Sequence, residues 1–317
     1  MRVIVMGTGG VGGYFGAKLA AGGADVTFVA RGAHGEAIRR DGLFVQSFLG
    51  DFRIYPARCV ADPADAPAAD AALFCVKLTD TEAAARALAP AVKAGADVFT
   101  FQNGVESAET LDAVFGAGRA VSGAAYISST LGAPGHVVHT GQVPRLEFGE
   151  ANGETSPRVA ALLEAFRAAG VQAHGAKNIA QALWRKMSGL APLASITALT
   201  RAPIGPIRAE PRSRRLLQAL IEEAVSVGVA KKVGMNPGDA SLVMAVIDGL
   251  DPAMRASMAF DIDHGKPLES PYLSGAIVRI GQALGVPTPT HSFFSDALAV
   301  WERGSAAAAP QLRAKER

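Results

Sequence analysis

The residues with the clearest chemical meaning stand near the start of the chain. Gly7-Thr8-Gly9-Gly10-Val11-Gly12 follows an apolar run, Arg2 to Met6, and opens a helical pattern over Gly10 to Ala21. A Gly-x-Gly-x-x-Gly turn between a strand and a helix suits a dinucleotide. The first glycine makes the tight turn, the second lets the backbone approach a pyrophosphate, the third allows close helix packing, and the helix N-terminus attracts the anion. Arg31 comes nineteen residues past Gly12, after a second apolar run, Asp25 to Val29, where an NAD-binding protein places Asp or Glu. A guanidinium there would meet the 2′-phosphate of NADP through charge-assisted hydrogen bonds; the alternative is a solvated arginine ahead of a helix. The cofactor expected is NADPH.

Two more polar positions follow β-rich runs. Lys77 comes after Ala71 to Val76, and Gln102-Asn103-Gly104 after Asp97 to Phe101. Ligands of open parallel sheets collect at the carboxyl ends of strands, so both are candidates for the cofactor site. An amide at such a turn can cap the next helix or bond a ligand. Lys186 lies beside an apolar stripe of Leu183, Met187, Leu190 and Ala194. A lysine there snorkels by default; if a site closes over it, desolvation lowers its pKa toward neutrality and makes it a proton donor. His136 and His139 sit three apart on an expected strand and point to opposite faces, so no metal is expected.

These residues need a scaffold, and the pattern supplies one. Short β-rich runs (Arg2 to Met6, Asp25 to Val29, Ala71 to Val76, Asp97 to Phe101, Ala120 to Ser128) alternate with helical stretches at Gly10 to Ala21, Asp80 to Val92 and Glu106 to Val114. Such alternation implies βαβ units in a parallel sheet. Leu43 to Ala57 reads as two strands around Gly50-Asp51, and a second hairpin is expected over His136 to Phe148. Ser156-Pro157, a Ser cap before proline, opens a helix to about Ala169, and Asn178 with Gln181 opens another. Beyond Gly175 only helices are expected: Ser213 to Val227, Asp239 to Ile247, Ser270 to Leu284 and Thr290 to Trp301. The fold class expected is α/β, an N-terminal Rossmann-type doubly wound sheet followed by an all-helical C-terminal domain. Residues 1–176 would form the NADP-binding domain, 177–303 the helical substrate and catalytic domain, and 304–317 a flexible tail.

Composition narrows the function classes. The chain has 317 residues, 49% hydrophobic and 19% charged, which argues against disorder and coiled coil. A +2 balance of 31 basic and 29 acidic residues leaves no basic block dense enough to follow a phosphate backbone, so no nucleic-acid partner is expected. Two cysteines, Cys59 and Cys75, the second in an apolar run, fit a reducing cytosol. The run Val3 to Met6 is too short for a signal peptide, and no apolar stretch approaches the ~20 residues of a membrane span, Pro192 interrupting the longest. The expected protein is soluble and cytoplasmic, with a homodimer the favoured assembly.

Taken in order, the motifs resemble the ketopantoate reductase (2-dehydropantoate 2-reductase) family from Arg2 to about Trp301. The matching segments are Gly7 to Gly13, Val29-Ala30-Arg31, Val76-Lys77, Gln102-Asn103-Gly104, Leu183-Trp184-Arg185-Lys186, Ser257-Met258 with Asp261-Ile262, and Leu268-Glu269 leading to Gly275. The resemblance implies a Rossmann domain and a helical domain with the active site in the cleft between them. It implies that NADPH delivers hydride to the C2 carbonyl of a 2-oxo acid while Lys186 protonates the oxyanion. By the same resemblance Asn103 lies near nicotinamide and substrate, Glu269 bonds the cofactor ribose and orients the lysine, and Ser257 binds the substrate carboxylate. The chain departs from the family at Leu190 and Ala194, where asparagines bind the pantoyl group, and at Ile204 in place of a third. The substrate pocket is therefore expected to be less polar, with 2-dehydropantoate the first substrate, a more apolar 2-oxo acid or ketone the alternative, and a non-catalytic NADPH sensor a third reading.

Overall fold

Along the first strand, β1 (Arg2–Met6), Val3 and Val5 enter one hydrophobic core while Ile4 and Met6 enter another. A strand whose alternate residues are all buried must be covered on both faces, which is the condition of a parallel sheet between helices. The computed structural model describes residues 1–304, and the chain divides into two compact units between Ile179 and Ala180. The expected tail lies, from residue 305 on, outside the described residues.

In the first unit, β1 is followed by α1 (Gly10–Ala21), β2 (Asp25–Val29), α2 (Gly32–Asp41), β3 (Leu43–Ser47), β4 (Phe52–Ile54), β5 (Arg58–Val60), β6 (Ala71–Phe74), α3 (Thr81–Lys93), β7 (Asp97–Thr100), α4 (Ser107–Phe115), β8 (Ala120–Ala133), β9 (His136–Gly149), α5 (Pro157–Ala168) and β10 (Gln172–Gly175). One ten-stranded sheet runs β4-β3-β9-β8-β7-β6-β1-β2-β5, with β10 paired to β9. The stretch from β5 through β2, β1, β6 and β7 to β8 is parallel throughout. The chain leaves β1 toward β2 on one side and later returns to β6 on the other. That reversal of strand order at β1 creates the crevice where open α/β sheets bind ligands. The core holding Val3 and Val5 includes Tyr14, Phe15 and Leu19 of α1 and Leu162 and Phe166 of α5; the core holding Ile4 and Met6 includes Ala85 and Leu88 of α3 and Leu111 of α4.

The hairpin expected over His136 to Phe148 is replaced by a single strand. β9 pairs antiparallel with β8 from Ala133↔His136 to Ser122↔Gly149, and the turn is Pro134-Gly135, with Gly135 at φ +73°. Gly141 to Pro144 reads as a turn in sequence because it carries two chain punctuators. It is instead an irregularity within β9, where the register jumps between Tyr126↔Arg145 and Ser128↔Thr140. The helix α2 and the strands β5 and β10 are further elements that the pattern leaves unmarked; α2 buries only Gly35, Ala37 and Ile38, too few apolar residues for a visible stripe.

The second unit is helical: α6 (Ile179–Thr200), α7 (Ile204–Ala209), α8 (Pro211–Ala230), α9 (Asp239–Asp248), α10 (Ser257–Asp263), α11 (Ser274–Leu284) and α12 (Pro289–Leu298). Trp184, Met187, Ala191, Ala194 and Ala198 recur at helical spacing on α6 and are buried. A buried polar chain ties α6 to its neighbours. Ser195 meets the Ser274 hydroxyl at 2.7 Å, Ser274 meets Nδ1 of His291 at 2.9 Å, and Nε2 of His291 meets the Leu220 carbonyl at 2.9 Å. A carbonyl only accepts, so Nε2 carries the proton; burial pushes His291 down to about 4 and keeps it neutral. This histidine joins helices and has no part in the chemistry below.

Candidate functional site

The parallel register brings four loops to one edge of the sheet. Met6 pairs with Val29 and with Phe74, and Phe74 pairs with Thr100, so the segments after β1, β2, β6 and β7 leave side by side. They carry Gly7 to Gly12, Arg31, Lys77 and Asn103 respectively.

Each fingerprint glycine has its own reason. Gly7 sits at φ +95°, a conformation that L side chains rarely adopt, and makes the turn. A Cβ on Gly12 would lie 2.2 Å from the Gly7 carbonyl oxygen and 3.0 Å from Cys75 and Val5, so only glycine lets α1 pack this closely. A Cβ on Gly9 meets no protein atom within 4 Å. Gly9 is spared a side chain on a face left open, as a backbone-bound pyrophosphate needs, so the loop fits a dinucleotide. Gly12→Ala is therefore expected to lower the melting temperature by about 5 °C or more, while Gly9→Ala leaves it unchanged. Thermal scans of both proteins make the comparison.

The loop is held from several sides. The Thr8 N–H and hydroxyl both donate to the Val29 carbonyl, at 3.3 and 3.0 Å, which fastens the fingerprint to the end of β2. Arg31 is the N-cap of α2 and is exposed; Gly10 and Val11 lie in the first turn of α1. Gln102, buried, donates to the Val76 carbonyl at 3.0 Å and to the Thr81 hydroxyl at 2.8 Å, linking the segment that holds Lys77 to the one that holds Asn103. The N-cap residue of α4 is Glu106, and the backbone carbonyl of Asn103 accepts from the Ser107 hydroxyl at 3.4 Å. His34 escaped the sequence reading. It bonds the Thr8 carbonyl, and only its position three residues past Arg31 could have drawn notice. Cys75 is pushed up to about 12 by burial and is no nucleophile.

In the second unit, α6 places Lys186 between the buried Trp184 and Met187. Arg185 donates to Asp239, the first residue of α9, at 2.9 Å, fixing the turn of helix that carries the lysine. Lys186 is half-buried, and burial lowers its ammonium to about 8 against the opposing pull of the Glu269 carboxylate. Glu269 is only 4% exposed and precedes a short 3-10 turn, Ser270–Tyr272, its carbonyl accepting from the amides of Tyr272 and Leu273. The structure thus brings Lys186 and Glu269 together. A half-buried lysine lowered toward neutrality, with a carboxylate acting on it, can serve as a proton donor.

Ser257 is exposed at the first position of α10. Thr197 of α6 donates to the Leu193 carbonyl at 2.6 Å and accepts the Ala256 amide at 3.4 Å, so the helix bearing Lys186 also fixes the start of α10. Leu190 is half-buried, whereas Ala194 and Ile204 are 1% and 0% exposed. His139 lies on β9 against Ser47 at 2.8 Å, and His136 stacks near Phe44. Among the described residues no group of three or more His, Cys, Asp or Glu could hold a metal ion, and no helix is long and apolar enough to cross a membrane.

Known proteins match this chain over almost its whole length. The family model for ketopantoate reductase PanE/ApbA matches residues 3–153, and that for its C-terminal part matches residues 178–302. A 2-dehydropantoate 2-reductase of Mesorhizobium japonicum is 30% identical over 311 residues, covering 92% of this chain and 94% of that protein. The crystal structure of a PanE/ApbA family ketopantoate reductase from Ralstonia eutropha superposes with a TM-score of 0.88 at 32% identity, over 95% of this chain and 98% of that one. A D-mandelate dehydrogenase bound to NADH and anilino(oxo)acetate has a TM-score of 0.87 over 95% of this chain and 98% of its own, but at 19% identity it shares the fold alone.

Proposed function

This chain belongs to the ketopantoate reductase family of oxidoreductases, and from that premise we propose that it reduces 2-dehydropantoate to pantoate with NADPH, Lys186 acting as general acid. The observation that carries the reading is the Lys186 ammonium lowered by burial to about 8 beside Glu269. When bound, the nicotinamide supplies hydride to the C2 carbonyl carbon. Gly7 to Gly12 would hold its pyrophosphate, Arg31 the 2′-phosphate, Lys77 and Asn103 its neighbouring groups, and Glu269 a ribose hydroxyl. The chain's own chemistry concerns the oxygen. A carbonyl gaining hydride develops negative charge there, and an ammonium within hydrogen-bond reach stabilises that charge and then donates its proton. Glu269 keeps the lysine protonated and aimed, while Ser257 and Asn103 take the substrate carboxylate and carbonyl. Such an enzyme would work in the cytosol, on a small soluble acid.

A second reading, a more apolar 2-oxo acid as substrate, rests on Leu190, Ala194 and Ile204. With no amide at these positions, the substrate's hydroxyl loses its readers, and apolar differences of methyl size discriminate by only ~1 to 3 kcal/mol. Steady-state NADPH oxidation against branched 2-oxo acids tests both. Ketopantoate and the same keto acid without its hydroxyl are expected to fall within roughly 100-fold in kcat/KM; a preference above roughly 10³-fold removes the apolar reading. NADPH binding without oxidation of any acid would mark a sensor. Leu190→Asn should shift the ratio toward ketopantoate; Ala194 is packed on all sides and is the poorer place for an amide. Gly9→Ala should weaken NADPH about tenfold or more, because the new methyl stands where the backbone must approach the pyrophosphate.

A further inference from the structure

His34 lies in the first turn of α2, three residues after Arg31, and its half-buried ring joins two segments distant in sequence. Nε2 is 2.7 Å from the Thr8 carbonyl oxygen, and Nδ1 is 2.9 Å from the Gly135 amide at the β8–β9 turn. A carbonyl can only accept and an amide N–H can only donate, so one neutral tautomer, protonated at Nε2, satisfies both contacts. With this bond every polar group of Thr8 is engaged: N–H and hydroxyl on Val29, carbonyl on His34. The turn on the other side is itself anchored. The Gly135 carbonyl accepts the Phe44 amide at 2.9 Å, and the space beside Gly135 is closed by Ala37 of α2, 3.0 Å from where a Cβ would stand. At the start of α2, Arg31 makes no side-chain cap, and Gly32, at φ +56°, has open space at its Cβ position.

We propose that His34 is a positioning residue for the dinucleotide, locking the fingerprint loop and the first turn of α2 into one cradle so that the pyrophosphate loop and Arg31 present to the same ligand. The proposal rests on the cofactor reading above and adds to it a residue that acts through others. His34 acts through Thr8 on one arm of the site and through the helix it belongs to on the other. Its loss leaves each anion contact in place but free to move relative to the other, and misplacement of a binding group by a fraction of an ångström is enough to lose its hydrogen bond.

The test is calorimetry of NADPH and NADH, with kcat and KM, on the wild type and on His34→Ala, His34→Gln, His34→Asn, Arg31→Ala and the Arg31→Ala, His34→Ala pair. His34→Ala is expected to weaken NADPH about tenfold, raising its KM equally, with kcat within about threefold of wild type. Glutamine, whose amide reaches the place of Nε2, should restore affinity to within about threefold; asparagine, which reaches only the place of Nδ1, should not. The double variant should lose less NADPH affinity than the product of the two single losses, by about threefold or more, because the two residues act through one helix turn. Wild-type affinity in His34→Ala overturns the proposal, as does equal loss in the Gln and Asn variants. If His34→Ala fails to fold, the Gln and Asn pair still decides. If the wild type binds neither dinucleotide, the cofactor reading itself fails and takes this proposal with it; binding by the wild type with no effect at His34 sinks the positioning role alone.

Discussion

Lys186→Met is expected to lower turnover of the 2-oxo acid by about 100-fold or more while NADPH affinity stays within about threefold. Methionine keeps an unbranched stem of similar length and removes the ammonium, so the change isolates the proton. A value of about 8 in the folded protein also sets a direction for pH. The protonated form does the work in reduction, so wild-type kcat/KM should fall as pH rises through about 8, and oxidation of the hydroxy acid should rise over the same range. Stability follows the opposite logic from an ordinary ion pair. The folded lysine sits below its unfolded value of 10.5, so the unfolded chain binds more protons between about 8 and 10.5. Holding the charged lysine in place costs stability below about 8, and that cost is relieved as pH climbs toward 10.5. Lys186→Met should show neither the basic limb in rate nor this rise in melting temperature. Near-normal turnover across pH in the purified variant would assign the proton to another group.

Arg31→Ala is expected to weaken NADPH by roughly ten- to a hundredfold and to leave NADH nearly unchanged, since charge-assisted hydrogen bonds contribute ~1.5 to 3 kcal/mol each. Arg31 is the N-cap residue of α2, at the carboxyl edge beside the fingerprint, and is exposed, so its removal disturbs no core. The wild-type preference for NADPH should shrink as salt is added, because an exposed ionic contact is screened. Arg31→Glu should reverse the preference: a carboxylate there repels the phosphate and accepts from the ribose hydroxyls of NADH. Calorimetry of both cofactors at two salt concentrations decides, and equal losses for the two cofactors in Arg31→Ala would detach the guanidinium from the 2′-phosphate.

Much of this protein is written in short-range chemistry. Glycine at Gly7, Gly9 and Gly12, alternation in β1 and a serine cap with proline at Ser156-Pro157 are local rules, and a local rule can be read from a local segment. The observed α1 and β2 have the limits that the pattern predicts, and the Ser156 hydroxyl accepts the Val159 amide as a cap should. The same rules mislead where punctuation serves two purposes. Gly141 to Pro144 marks a turn or an irregular strand equally, and only pairing with β8 selects the second. A sparse apolar pattern likewise hides α2, which is secured by contacts made elsewhere.

The sequence by itself determined the alternation of the first unit, the longer helices of the second and the kinds of residue at each strand end, because propensity and periodicity act within a few residues; the short α7 and α10 carry too few residues to show a period. Only the tertiary structure decided which of those residues meet. The register from Met6 to Val29, Phe74 and Thr100 aligns four loops, burial moves Lys186 toward neutrality against the opposing pull of Glu269, and His34 finds partners 26 and 101 residues away. Each depends on burial and on contacts between distant segments, and a single pattern of residues contains neither until the chain has folded.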